Sequence, residues 1–177
     1  MKTKIVCQII LLTTIGFFLS CDLIEKADDV SFDATQTVSF QINETESNPS
    51  GKAVSNTSTL NVASDPDVAK YASKIKEFKV NKVTYTIAGA NPTSVDFTNG
   101  KITTSGLKTI ASASSIPLTN TAETQLTTDN SGINDLASSL LADKQEQITL
   151  SGNLSTTPVT FTVNVKFYLT ITANALD

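Results

Sequence analysis

The sequence predicts an all-β fold: mainly an antiparallel β-sandwich, immunoglobulin-like in the broad sense, carrying two short helices. Three observations support this. Apolar residues alternate with Thr, Ser and Asn along most of the chain, turn-forming residues recur about every ten positions, and no strand–helix–strand rhythm appears. The Cys…Trp…Cys pattern of true immunoglobulin domains is absent, which leaves strand order open.

The first strand is expected where Val38, Phe40 and Ile42 alternate with Thr37, Ser39 and Gln41. Asn48-Pro49-Ser50-Gly51 is a turn signal, and a weaker strand with Leu60 and Val62 follows it. Phe78 and Val80 alternate, then Val83, Tyr85 and Ile87 continue one residue out of step, which predicts a β-bulge near Asn81 and Lys82. Asn99-Gly100, between Val95/Phe97 and Ile102, predicts a tight hairpin because both residues tolerate positive φ. Ile110 to Ile116 and Leu118 to Leu126 are less regular, and Ile148, Leu150 and Leu154 mark a further strand. The clearest strand is the last, where Phe161, Val163, Val165, Phe167, Leu169, Ile171 and Ala173 alternate with polar residues. At ~3.3 Å per residue it would span about 43 Å, so it is expected to be central and either bent or shared between neighbours.

Two helices interrupt the strands. Ser64-Asp65-Pro66 supplies a cap and a first-turn proline, with Val68, Tyr71, Ala72 and Ile75 at helical spacing behind it. Asp129-Asn130-Ser131 caps the second, whose apolar stripe is Ile133, Leu136, Ala137, Leu140 and Leu141. A single stripe per helix predicts packing across an edge or open end of the sheets.

Ahead of the strands, Lys2 and Lys4 precede an uncharged run from Ile5 to Ser20, the layout of a secretory signal and short for a membrane-spanning helix of about 20 residues. The run closes on Phe18-Leu19-Ser20-Cys21. That ending resembles the lipobox of bacterial lipoproteins in the looser form of the Bacteroidota type. The resemblance covers about the first twenty residues and implies cleavage before Cys21, lipidation of Cys21, and anchoring at the cell envelope, at the outer membrane. With the charged, mostly unpatterned stretch that follows and a mature length within the span of one domain, three parts are expected: a signal peptide over 1–20, the lipidated cysteine and a charged tether over 21–34, and one sandwich domain over 35–177. Cys7 falls inside the signal, so Cys21 is the single cysteine of the mature chain and no internal disulfide can form. Two or more acyl chains would make the anchor effectively permanent.

Composition narrows the chemistry. The chain has no His, no Arg and no Trp, and its formal charge is −4; losing Lys2 and Lys4 takes the mature part to −6. Without Arg there is no forked donor for phosphate or base edges, which argues against nucleic acid as a partner. Without His, and with Cys21 lipidated, Ser-His-Asp, Cys-His and His-metal sites are ruled out. No cofactor is expected and no catalytic residue is assigned. A carboxylate-based hydrolase is the remaining enzymatic alternative, but Asp65 and Asp67 read as helix-start residues and Asp96 as an outward strand residue. Asp28-Asp29 and Asp129-Asn130-Ser131 offer oxygen ligands without the spacing of a calcium loop, so no metal site is assigned.

The remaining features concern binding. Lys70, Lys74, Lys76, Lys79 and Lys82 form the densest positive cluster, read foremost as a solvated face. Tyr71 and Tyr85 fall on expected core faces, while Tyr168 points outward and is the candidate ligand contact. The expected function is a non-catalytic, lipid-anchored binding or assembly module for a protein or glycan partner. A structural subunit of an outer-membrane complex is the alternative.

Overall fold

The structure, a computed structural model, describes residues 28–175. The N-terminal apolar run and Cys21 lie outside the described residues. In chain order the elements are β1 (Asp29–Asn48), β2 (Lys52–Asn61), α1 (Pro66–Lys70), β3 (Ile75–Asn91), β4 (Asp96–Thr104), β5 (Thr109–Pro117), β6 (Thr124–Gln125), β7 (Thr127–Thr128), α2 (Asn130–Asp143), β8 (Gln145–Leu154) and β9 (Thr157–Asn174). They form two sheets with strand orders β1-β9-β3-β6 and β2-β8-β4-β5-β7, and every pairing is antiparallel. The molecule is therefore the expected β-sandwich, with its own strand order.

Period-2 patterning explains the core. On β9, Phe161, Val163, Val165, Phe167, Leu169 and Ile171 are each no more than 2 % exposed, while the residues between them face outward. Each such side chain contributes roughly 1.5–3 kcal/mol on burial. β9 is central as expected, but it neither switches partners nor divides its length. It pairs with β1 from Thr157 to Asn174 and with β3 over nearly the same span.

The step predicted in β3 is present as a register shift between Val80 and Lys82. Three other expectations change. First, Asn99-Gly100 is not a hairpin turn. Asn99 does adopt positive φ (52°), but it bulges within β4 where the register to β8 shifts between Thr98 and Lys101. The turn comes later, at Ser105–Lys108, closed by Leu107 N–H to Thr104 O (3.0 Å) and Thr104 N–H to Lys108 O (2.9 Å). Second, the charged segment read as tether through Ala34 is strand from Asp29 onward, because Asp29–Ala34 pair with Leu169–Asn174. Its charges alternate with inward Phe32 and Ala34, a pattern the acidic composition obscures. Third, α1 stops at Lys70, and Ile75 opens β3 instead of ending a helix.

α2 is held at its start by Asp129, whose carboxylate accepts from Ser131 N–H (2.9 Å) and Gly132 N–H (3.3 Å). Leu136 and Leu140 of the expected stripe are fully buried and Ile133 and Ala137 partly so, whereas Leu141 is exposed; the helix packs on β3, β5, β8 and β4. Among the described residues no helix is long and apolar enough to cross a membrane.

Candidate functional site

Outward residues of β1, β9 and β3 stand in rows across the first sheet. Pairing sets Thr35, Tyr168 and Lys82 in one row, and Asp33, Thr170 and Lys79 in the next. The bulge at Asn81–Lys82 interrupts the surface there and leaves a groove of about 370 Å³ lined by Asp33, Thr35, Asn81, Lys82, Gln125 and Tyr168. Tyr168 thus lies in a concave setting of mixed polar and apolar surface, on the outward side where its alternation places it.

The groove is braced by hydrogen bonds. Asn81 Nδ2 donates to Thr170 Oγ1 (2.8 Å), and Thr170 in turn donates to Asp33 Oδ1 (2.7 Å), tying β3, β9 and β1 together. The Tyr168 hydroxyl donates to Glu123 Oε1 (2.5 Å), and Lys166 Nζ meets Glu123 Oε2 at 3.1 Å. Glu123 comes from the β5–β6 connection, so these contacts staple that loop to the sheet. The Tyr168 hydroxyl above all, then Lys166, hold the Glu123 carboxyl at about 2, below its ordinary 4.5. The same bonds raise Tyr168 and Lys166 above their ordinary values. The Thr84 hydroxyl, buried without a hydrogen-bond partner among the described residues, favours the Glu123 carboxylate more weakly, from a geometry short of a hydrogen bond.

Lys82 stands apart. Its ammonium lies 4.0 Å from the centroid of the Tyr168 ring, and among the described residues it forms no ion pair. It is half-buried, so its stem is held while its charge faces the groove.

The other lysines of the sequence cluster do not form one continuous face. Lys70 lies over the Tyr71 ring at 4.9 Å, and Lys76 pairs with Asp29 at 2.6 Å. Tyr85 is buried as expected, whereas Tyr71 is half-buried against Phe32, ring centroids 5.5 Å apart.

Two further concavities are of similar size. One, about 300 Å³, is lined by Thr59, Ser105, Asp143, Gln145, Glu146 and Gln147. Its buried Glu146 accepts from Ser105 N–H (2.8 Å) and so holds the β4–β5 turn. The other, about 400 Å³, lies on the second sheet and includes Asn99, the exposed Lys101 and Ser151.

Asp65 caps α1 by accepting from Asp67 N–H (2.9 Å) and Val68 N–H (3.3 Å), and Asp67 lies in that helix's first turn. Asp96 is exposed at the start of β4. Asp129 is engaged in capping α2. Among the described residues no group of three or more Asp, Glu, His or Cys is arranged to hold a metal ion.

Sequence reasoning found Tyr168 and the Lys82 bulge but missed Asp33, Glu123 and Gln125. Asp33 was hidden in the expected tether, Glu123 lies in the β5–β6 connection, and Gln125 in a two-residue strand too short to show a period.

No family model and no curated protein matches the chain. Among solved structures it is similar to a decameric BFDV capsid protein, at 11% identity over 81% of this chain and 98% of that one, with a TM-score of 0.46. It is also similar to a chain of Turnip Yellow Mosaic Virus, at 10% identity over 84% and 97% of the two chains, with a TM-score of 0.36. Likeness at this level transfers no function to the present chain.

Proposed function

We propose that this protein is a lipid-anchored extracytoplasmic module that binds a protein or glycan partner without transforming it. The observation that carries the reading is the Tyr168 groove. Among the described residues it offers an ammonium outside any ion pair, amide and hydroxyl groups and a carboxylate carried on β1, β9, β3 and β6, a donor and acceptor set suited to holding a polar ligand. The anchor rests on Lys2, Lys4, the Ile5–Ser20 run and Phe18-Leu19-Ser20-Cys21. Strand structure from Asp29 shortens the expected tether: the eight residues from Cys21 to Asp28, seven Cα spacings, reach at most about 25 Å. A lipidated Cys21 would therefore keep the domain beside its membrane, with the outer membrane as the proposed location.

Crosslinking in the native envelope followed by capture of the lipidated protein tests this. A partner enriched with the parent chain and lost with Cys21→Ala and with Lys82→Met/Tyr168→Ala is the expected result. No enrichment over the Cys21→Ala variant would overturn the reading.

A structural subunit is the second reading, favoured by β1. This strand is an edge of its sheet, and from Ala34 to Asn43 it carries no charge, no proline and no bulge, devices that ordinarily blunt a sheet edge, although Asn56 Nδ2 covers its Gln41 carbonyl (2.6 Å).

A further inference from the structure

We infer that the Tyr168 groove recognises an acidic saccharide, with a sugar carboxylate on Lys82 and neighbouring hydroxyls on Asp33 and Asn81. This deepens the binding reading above and rests on it.

The groove is polarised. Asp33 on β1 and Lys82 on β3 flank β9 in adjacent rows, two strand spacings apart across the sheet and two residues apart along it, so their backbones are about 12 Å apart. Tyr168 lies between them.

At the positive side, Lys82 has no carboxylate partner among the described residues and is held against the Tyr168 ring at 4.0 Å. An anionic ligand would therefore break no ion pair and immobilise little new side chain, which reduces the entropic cost of binding. The side chains of Gln125 and Thr35 line the same groove with no side-chain hydrogen bond to another described residue, and their amide and hydroxyl are additional donors for the ligand.

At the negative side, Asp33 accepts from Thr170 through Oδ1, leaving its other carboxylate oxygen as an acceptor. Asn81 has spent only its Nδ2 on Thr170, so its carbonyl oxygen is an acceptor as well. The two acceptors, linked through the Thr170 hydroxyl that bonds to both side chains, suit the hydroxyls of a sugar ring, and the Asp33 carboxylate would repel a second anionic group. A simple polyanion fits this arrangement poorly, whereas a ring with one carboxylate and several hydroxyls fits it. The concavity around Lys101 lacks this polarity, because no carboxylate lines it.

The test is titration of the folded mature protein with a short oligogalacturonate and, in parallel, a neutral galactan oligomer of equal length, followed by amide chemical shifts. The acidic oligomer is expected to shift resonances at Asp33–Thr35, Asn81–Lys82, Gln125 and Tyr168, and to bind at least about tenfold more tightly than the neutral one. Lys82→Met, which keeps the stem on the Tyr168 ring, is expected to abolish that preference, and Lys101→Met to leave it unchanged. Equal affinity for the neutral oligomer, shifts confined to other surfaces, or no shifts would overturn the inference, and the parent protein alone suffices for that comparison. If the envelope crosslink is groove-dependent while oligogalacturonate leaves the groove unshifted, this inference fails and the binding-module reading stands.

Discussion

Glu123 illustrates how much one side chain can organise. It accepts from Tyr168 and pairs with Lys166, and both bonds favour its charged form, so its carboxyl titrates at about 2 in place of 4.5. Its contribution to stability is complete above pH 4.5 and is lost as pH falls from there toward about 2. Tyr168 and Lys166 are shifted upward, so their part is complete below the ordinary 10.0 and 10.5 and is lost as pH rises through the raised values. Glu123→Gln should flatten the stability profile between pH 4.5 and about 2, as read by urea midpoints at successive pH values. An unchanged acid limb would show that the carboxylate is not held as described. Because the group is solvent-accessible, the effect is expected to be modest and to shrink in salt. Tyr168 was legible from alternation alone. Glu123 was not, since a loop residue carries no period that tells where it folds back.

At the scale of elements, glycines report how closely the pieces pack. A Cβ on Gly132, in the first turn of α2, would lie 1.8 Å from the Thr109 carbonyl oxygen, which is backbone and cannot yield. A Cβ on Gly100 would meet the methyl end of Ile116 at 2.7 Å, and that side chain can turn aside. Gly132→Ala should therefore cost about 1–3 kcal/mol or more, even after the gain in helix propensity, while Gly100→Ala should cost less than about 1 kcal/mol. Urea unfolding of the two variants checks the order, and a cheap Gly132→Ala would mean that α2 does not sit against β5 as described. The same elements show where pattern reading succeeds. The out-of-step alternation in β3 marks a real bulge because it follows directly from which side chains must face inward. Asn99-Gly100 misleads because positive φ serves a bulge as well as a turn, and only the partner strand decides between them. The extent of β1 was missed because Asp29 and Asp33 gave an acidic segment the look of a linker.

Over the whole molecule, the dominant fact is that β9, the last strand, lies between the first and third. Asp29 pairs with Asn174 and Ile42 with Phe161, so the central seam of the larger sheet joins distant parts of the chain. Loops of that length must close before their contacts stabilise anything, which predicts refolding in the millisecond-to-second range, not microseconds. A chain ending at Asn153 should show no cooperative unfolding, because Phe161 through Ile171 supply the middle of the core. Stopped-flow refolding, and amide dispersion of the shortened chain, test both statements. β9 also carries the fold and the groove on alternate residues: Phe167 and Leu169 face the core while Lys166, Tyr168 and Thr170 face outward. Selection can therefore rewrite every second letter of this strand and leave the others untouched, so related chains could diverge in what they hold while keeping one architecture.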